Sequence, residues 1–186
     1  MAVHQPSSYQ AKRASISLLL QPINTNQPTM TAQALALEKL GRSLDISIFQ
    51  ELLDLDTPSE LFSKDVICEY LVMAPESLST MRESLTHVNL SQLNTSTQSL
   101  RCASMVLGLT RIEKACARIE TILAHGVELQ YTGIGLGQIC EILSYVIKDA
   151  HSHFELAKTA FTSFYNLPLQ SPQEDASDAS SASIRL

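Results

Sequence analysis

An all-α fold is what this sequence predicts, and three observations carry that expectation. Apolar residues make up 45% of the chain while it holds only six Gly and no Trp, a balance that suits packed helices. Regular period-2 alternation between turn signals is absent, which argues against a β-sandwich. Apolar residues recur instead at three- and four-residue intervals over long stretches, the spacing that lines up one face of a helix. At 186 residues the chain fits one domain of about 130 to 150 residues plus tails, enough to bury roughly two-thirds of the unfolded surface in a single core.

Composition also narrows the function classes. The net charge is -6, from 13 basic and 19 acidic residues, and the basic ones are spread along the chain, which argues against a nucleic-acid partner. The four cysteines, Cys68, Cys102, Cys116 and Cys140, lie far apart in apolar helical patterns without a C-x-x-C pair. They read as buried or half-buried thiols in a reducing compartment, and no zinc framework is visible. The longest uncharged apolar run near the start, Ile16 to Leu20, is far short of a membrane span or a signal-peptide core. Cytoplasmic or nuclear residence with no membrane partner is therefore expected. The first 37 residues lack Asp and Glu but carry only Lys12 and Arg13 as basic residues, so mitochondrial targeting is the alternative set against plain disorder.

In chain order, residues 1–30 are rich in Gln, Ser, Thr and Asn and broken by Pro6, Pro22 and Pro28, a composition that cannot offset its ordering entropy. They are expected to be a disordered arm, in which Lys12-Arg13-Ala14-Ser15 has the form of a basophilic kinase site, a pattern short enough to arise by chance. The domain is placed at 31–169, with its core at 45–167. Thr31 to Leu40 reads as a short helix that Thr31 caps and Gly41 ends. Asp45 caps a second one, Ile46 to Leu53, whose Ile48, Phe49, Leu52 and Leu53 form a stripe too wide for one buried edge. Thr57 and Glu60 have capping-box spacing around Pro58, so a long helix should open there. Apolar residues then recur on two rows, Phe62, Val66, Tyr70 and Met73 on one, Ile67, Leu71, Ala74, Leu78, Met81 and Leu85 on the other. A helix covered on two sides is central to its bundle. Pro75 falls inside it and predicts a kink, since an unrelieved helix loses about 3 kcal/mol there.

Thr86 to Ser91 reads as a connection. In the helix around Gln98, Leu93, Leu100 and Leu107 form a core seam with Thr97, Ala103 and Ser104, whereas Gln98, Arg101, Cys102 and Met105 share a different face. The next helix puts Ile112, Cys116, Ile119 and Leu123 inward and Arg111, Lys114 and Arg118 outward, ending at His125-Gly126. The spacing Gly133-x-Gly135-x-Gly137 lacks a preceding strand and a Walker or G-x-G-x-x-G pattern, so it reads as a flexible connection rather than a phosphate loop. A long helix runs from Gln138 to about Tyr165, with Ile139, Leu143, Val146, Ala150, Phe154, Ala157, Phe161 and Phe164 near a heptad row, until Pro168 stops it. Residues 170–186, with Glu174, Asp175, Asp178 and several Ser, are expected to be a disordered acidic tail.

The helix pair around Gln98 resembles the centre of histidine-containing phosphotransfer (HPt) domains, whose motif is His-x-x-Lys-Gly-Ser-Ser-x-x-Leu-Gly. Leu107 and Gly108 match its Leu-Gly and Ser104 its second Ser, while Arg101 stands for the Lys, Cys102 for the Gly, and Gln98 for the phosphorylated His. Leu61 through Ala74, Gly108 through Ile119, and Phe154 through Asn166 are similar to further helices of the fungal members. The resemblance covers roughly Asp45 to Leu167 and implies an up-and-down four-helix bundle with a short preceding helix that caps one end. Glu120 stands where the yeast-type proteins carry Gln, which places a carboxylate near Arg101.

In that family an imidazole attacks the aspartyl phosphate of a receiver domain and later passes the phosphoryl group on. A Gln amide nitrogen has its lone pair delocalised into the carbonyl, so Gln98 cannot be that nucleophile. Cys102 partly fills the space the family's Gly leaves open, whereas Arg101 keeps a cation. The resemblance thus implies a pseudo-phosphotransfer protein, with no phosphotransferase activity expected and a degenerate site at Gln98, Arg101, Cys102 and Glu120. The resemblance further implies that it binds receiver domains of response regulators or hybrid kinases and competes with true phosphotransfer proteins. The docking patch it implies comprises Ile48, Leu52, Leu55, Asp56, Phe62, Val66, Gln98, Ser99, Arg101 and Cys102. A phosphotransfer protein with an altered phosphosite and a helical scaffold unrelated to receivers are the alternatives. None of His4, His87, His125, His151 and His153 is followed by x-x-Lys-Gly, and His151 and His153 point too far apart to share a metal. No metal or cofactor is expected, and the protein is expected to be a monomer.

Overall fold

The computed structural model describes residues 32–125 and 135–168. The expected N-terminal arm with Lys12-Arg13-Ala14-Ser15 and His4, the Thr31 cap, Gly126, Gly133 and the acidic tail lie outside the described residues. Six α-helices account for most of the rest: α1 Ala32–Glu38, α2 Ile46–Asp54, α3 Phe62–Thr86, α4 Leu90–Val106, α5 Thr110–Ala124 and α6 Leu136–Tyr165. Extended pairing among the described residues is limited to one antiparallel bridge between Leu44 and Leu109.

Connections of a few residues after α3 and α4 force those helices to reverse direction, which makes sequence neighbours antiparallel. α3 lies against α4, α4 against α5, α5 against α6, and α6 closes back onto α3. This ring is the all-α, up-and-down four-helix bundle. α1 packs on α6, and α2 touches α3 and α4.

The core follows the predicted periodicities. All eight residues of the α6 row, from Ile139 to Phe164, are buried, as are Leu93 and Leu100 on α4 with Leu107 at its C-cap, and Ile112, Cys116 and Ile119 on α5. On α3 Ile67, Tyr70, Ala74, Leu78 and Met81 are buried, while Phe62 is 45% exposed. Phe49 of α2 stacks on Phe161 at 5.5 Å between ring centroids and meets Phe164 edge-on at 5.8 Å. That aromatic trio fastens α2 to α6 through Phe49, and Leu52 and Leu53 of the same wide apolar stripe are buried as well. Among the described residues no helix is long and apolar enough to cross a membrane, and no three His, Cys, Asp or Glu side chains converge as a metal site.

The helix ends depart from expectation in instructive ways. Asp45 does cap α2, its carboxylate accepting from the backbone N–H of Ser47 at 3.0 Å. Thr57 and Glu60 do not open α3; they close a separate turn, with Glu60 N–H donating to Thr57 Oγ1 at 3.1 Å. α3 starts at Phe62 because the buried Asp56 carboxylate accepts from both the backbone N–H and the hydroxyl of Ser63, at 2.7 and 2.6 Å. A buried anion is a stronger acceptor for an orphan helix donor than a solvated Thr hydroxyl. α3 continues as one helix through Pro75. The connection expected over Thr86 to Ser91 is shorter, since Asn89 caps α4 by accepting from Gln92 N–H at 3.1 Å. α6 ends at Asn166, whose φ of 50° sets a left-handed cap before Pro168 is reached.

Candidate functional site

The site is built on α4. Its inner side is fixed by the buried leucine seam and by two hydroxyls: Thr97 Oγ1 donates to Leu93 O at 2.7 Å, and Ser104 Oγ bonds Tyr70 Oη at 3.0 Å. Burial pushes the Tyr70 hydroxyl above its ordinary range, so it stays protonated. With this side committed to the core, Gln98, Ser99, Cys102, Met105 and Val106 face outward and are exposed. Cys102 thereby differs from the buried or half-buried state expected of the cysteines, whereas Cys68, Cys116 and Cys140 match it.

Gly108 ends the helix and sets the neighbourhood. It has φ +70°, and a Cβ there would lie 2.7 Å from the backbone oxygen of Asp45 and 3.3 Å from Ile48 Cβ. Its carbonyl accepts from Asp45 N–H at 2.7 Å. Only glycine allows this approach, which brings Ile48 beside the end of α4. The Tyr70–Ser104 bond also fixes the register of α3 on α4, so Phe62 and Val66 fall at the same end of the bundle. Ile48, Phe62 and Leu55 are 37%, 45% and 60% exposed, and Val66 is half-buried.

Two members of the expected docking patch are withdrawn from the surface. Leu52 is 5% exposed and belongs to the core, and Asp56, also 5% exposed, is consumed by Ser63. Ser63 Oγ in turn lies 2.6 Å from Tyr165 Oη, which links the start of α3 to the end of α6. Burial raises the Tyr165 hydroxyl above its ordinary range, and the nearby Asp56 charge raises it further.

Arg101 does not project freely beside Gln98. Its Nε donates to Glu113 at 3.2 Å and its Nη1 to Glu120 at 2.5 Å, and these bonds, Glu120 first, raise its pKa further. Glu120 stands where the sequence places it. Glu113 was not singled out, although the signal existed: seven residues from Glu120, it occupies the same face two turns earlier. A depression of about 500 Å³ opens beside Gln98 between α4 and α5, with Leu90, Asn94, Glu120 and Leu123 in its walls. Beneath the charges Cys116 is fully buried, and burial pushes its thiol up to about 12, so it is not a nucleophile near neutral pH. None of the four described histidines lines this depression; His125 Nδ1 lies 2.9 Å from Thr121 O, and His153 Nε2 lies 3.7 Å from Asp149.

No family model matches the chain. It is 33% identical over 78 residues to multistep phosphorelay regulator 1 of Schizosaccharomyces pombe, a stretch covering 41% of this chain and 26% of that protein. It is 31% identical over 105 residues to phosphorelay intermediate protein YPD1 of Candida albicans, 55% of each chain. The chain thus spans about half the length of one of these relatives and a quarter of the other. Both similarities are distant, and they support a relationship to phosphotransfer-type phosphorelay proteins.

Proposed function

We propose that this chain is a non-catalytic phosphorelay component, which binds receiver domains of response regulators or hybrid kinases through the face around Gln98 and accepts no phosphoryl group. The observation that carries the reading is the placement of Gln98: exposed on the outer face of α4, at the motif position of the acceptor His, on the same helix face as the exposed Met105, with the exposed Ile48 and Phe62 towards the Gly108 end of the bundle. Such a patch suits a protein partner. An amide offers hydrogen bonds of similar reach to imidazole but no available lone pair on nitrogen. The exposed Cys102, one turn on, occupies space that in-line transfer needs, and transfer loses rate with small misplacements. A monomeric protein of the cytoplasm or nucleus that competes with active phosphotransfer proteins is part of the same reading.

The test is incubation with a phosphorylated receiver domain, followed by calorimetry against the unmodified receiver. Binding without acid-labile label on this chain is the expected result; label on the native protein would overturn it in favour of an active transfer protein with an altered site. Absence of heat with every receiver would favour a scaffold of another kind. Gln98→His combined with Cys102→Gly is expected to regain more transfer than Gln98→His alone.

A further inference from the structure

We infer that Glu113 and Glu120 set the specificity of the Gln98 face, making it select receiver domains whose aspartate is unphosphorylated. This inference rests on the receiver-binding reading and names the state of the partner. Arg101 is a cation lying on the same face of α4 as Gln98, and two carboxylates of α5 claim it, through Nε at 3.2 Å and Nη1 at 2.5 Å. One positive and two negative charges leave the cluster with a net charge of -1. The depression beside Gln98 adds nothing to offset this, because its lining includes Glu120 and no Lys, Arg or His. The basic residues of α5, Arg111, Lys114 and Arg118, are exposed, but lie roughly 100° or more around the helix from Glu113. They are turned away from α4.

An anion approaching Gln98 therefore meets a carboxylate in the wall and a guanidinium whose Nε and Nη1 already donate to α5. Phosphorylating an aspartate adds about one negative charge and the bulk of a phosphoryl group at the point of closest approach. The apolar contacts around Ile48 and Phe62 do not sense that change, so they bind both states alike. The charge cluster does sense it. Differential affinity between two states is what makes a binding protein selective, and like charge at the centre of an interface is an effective way to reject one of them.

The test uses the full chain, a receiver domain with Mg²⁺, and the same receiver loaded with beryllofluoride as a stable phosphoryl mimic, compared by calorimetry. The native protein is expected to bind the unloaded receiver about tenfold more tightly than the loaded one, a size typical of electrostatic discrimination. Glu113→Gln with Glu120→Gln turns the local charge from -1 to +1 without changing side-chain shape, and should abolish or invert the preference. Glu120→Gln alone, which keeps one ion pair, should give an intermediate ratio and serves if the double variant does not fold. Equal affinity of the native protein for both states, or a preference that survives both variants, overturns the inference while leaving receiver binding intact. No heat with either state overturns the receiver reading and this inference together.

Discussion

Two polar clusters in this bundle use the same ingredients to opposite ends. At the junction of α3 and α6, Asp56, Ser63 and Tyr165 form a closed chain in which all three residues are at most 5% exposed. On the α4–α5 face, Arg101, Glu113 and Glu120 form an open one, with side chains 34%, 24% and 21% exposed. Out of water, each donor and acceptor depends on its partner, so the closed cluster fixes where a helix begins. Within reach of water, partners can be exchanged for solvent at little cost, so the open cluster contributes charge more than rigidity. The lesson is that a carboxylate on a candidate docking surface has to be assigned by its exposure and its donors, and Asp56 and Glu120 fall on different sides of that division.

The comparison breaks first at Asp56. Asp56→Ala orphans the backbone N–H of the buried Ser63 and leaves its hydroxyl with Tyr165 Oη alone, and should cost about 3 kcal/mol in urea unfolding. Asp56→Asn keeps one acceptor and should lose less. If the division is right, receivers still bind the Asn variant. Conversely, Glu113→Gln with Glu120→Gln should leave the unfolding midpoint close to that of the native chain while changing which receiver state is bound. A large loss of stability there would make the open cluster structural after all.

The next effect in size comes from Cys116, which lies inside the bundle below the open cluster. Its thiol has an ordinary value of 9.0 and is pushed up to about 12, by burial first and by the Glu120 charge second. The folded state thus keeps its proton after the unfolded chain has lost it. That contribution to stability is whole below pH 9 and is lost as pH rises towards 12. Between pH 8 and 10 it should remove about 1.4 kcal/mol, read as a fall in the urea midpoint. Cys116→Ala should remove this part of the slope, whatever its own cost in packing. Because burial is the larger cause, Glu120→Gln should keep most of it; if Glu120→Gln flattens the slope, the open cluster is coupled to the core more tightly than its exposure implies.

Legibility in the sequence divided along the same line. The α6 row, the leucine seam of α4 and the Asp45 cap were readable because each depends on spacing within one helix. So was the alignment of Gln98 with Arg101, Cys102 and Met105 on one face. Asp56 was misplaced because its donor lies across a turn at Ser63, and the chain's third member, Tyr165, is 102 residues from Ser63. No local pattern encodes that pairing. Leu52 was not legible as a core residue because a wide apolar stripe does not say which of its members the neighbouring helices will cover. Glu113 is a different case, since its two-turn spacing to Glu120 was present and only the orientation of α5 towards α4 was not.

The smallest effect concerns the link between the helix that begins at the closed cluster and the helix that carries the open one. Val88, between α3 and α4, has φ 53° and is 47% exposed. Its N–H donates to Leu85 O at 3.1 Å, and the N–H of Asn89 to Ser84 O at 2.7 Å, the paired bonds that close a helix through a left-handed residue. A β-branched side chain is strained there, whereas Gly is not. Val88→Gly should therefore raise stability by roughly 0.5 to 1 kcal/mol, the relief of strain less the entropy Gly adds to the unfolded chain. Thermal unfolding reads the gain, and receiver selectivity should not move, because Val88 touches neither cluster and the Tyr70–Ser104 bond holds the register of the two helices. A change in selectivity would mean that the turn, rather than that buried bond, sets how α4 presents Gln98.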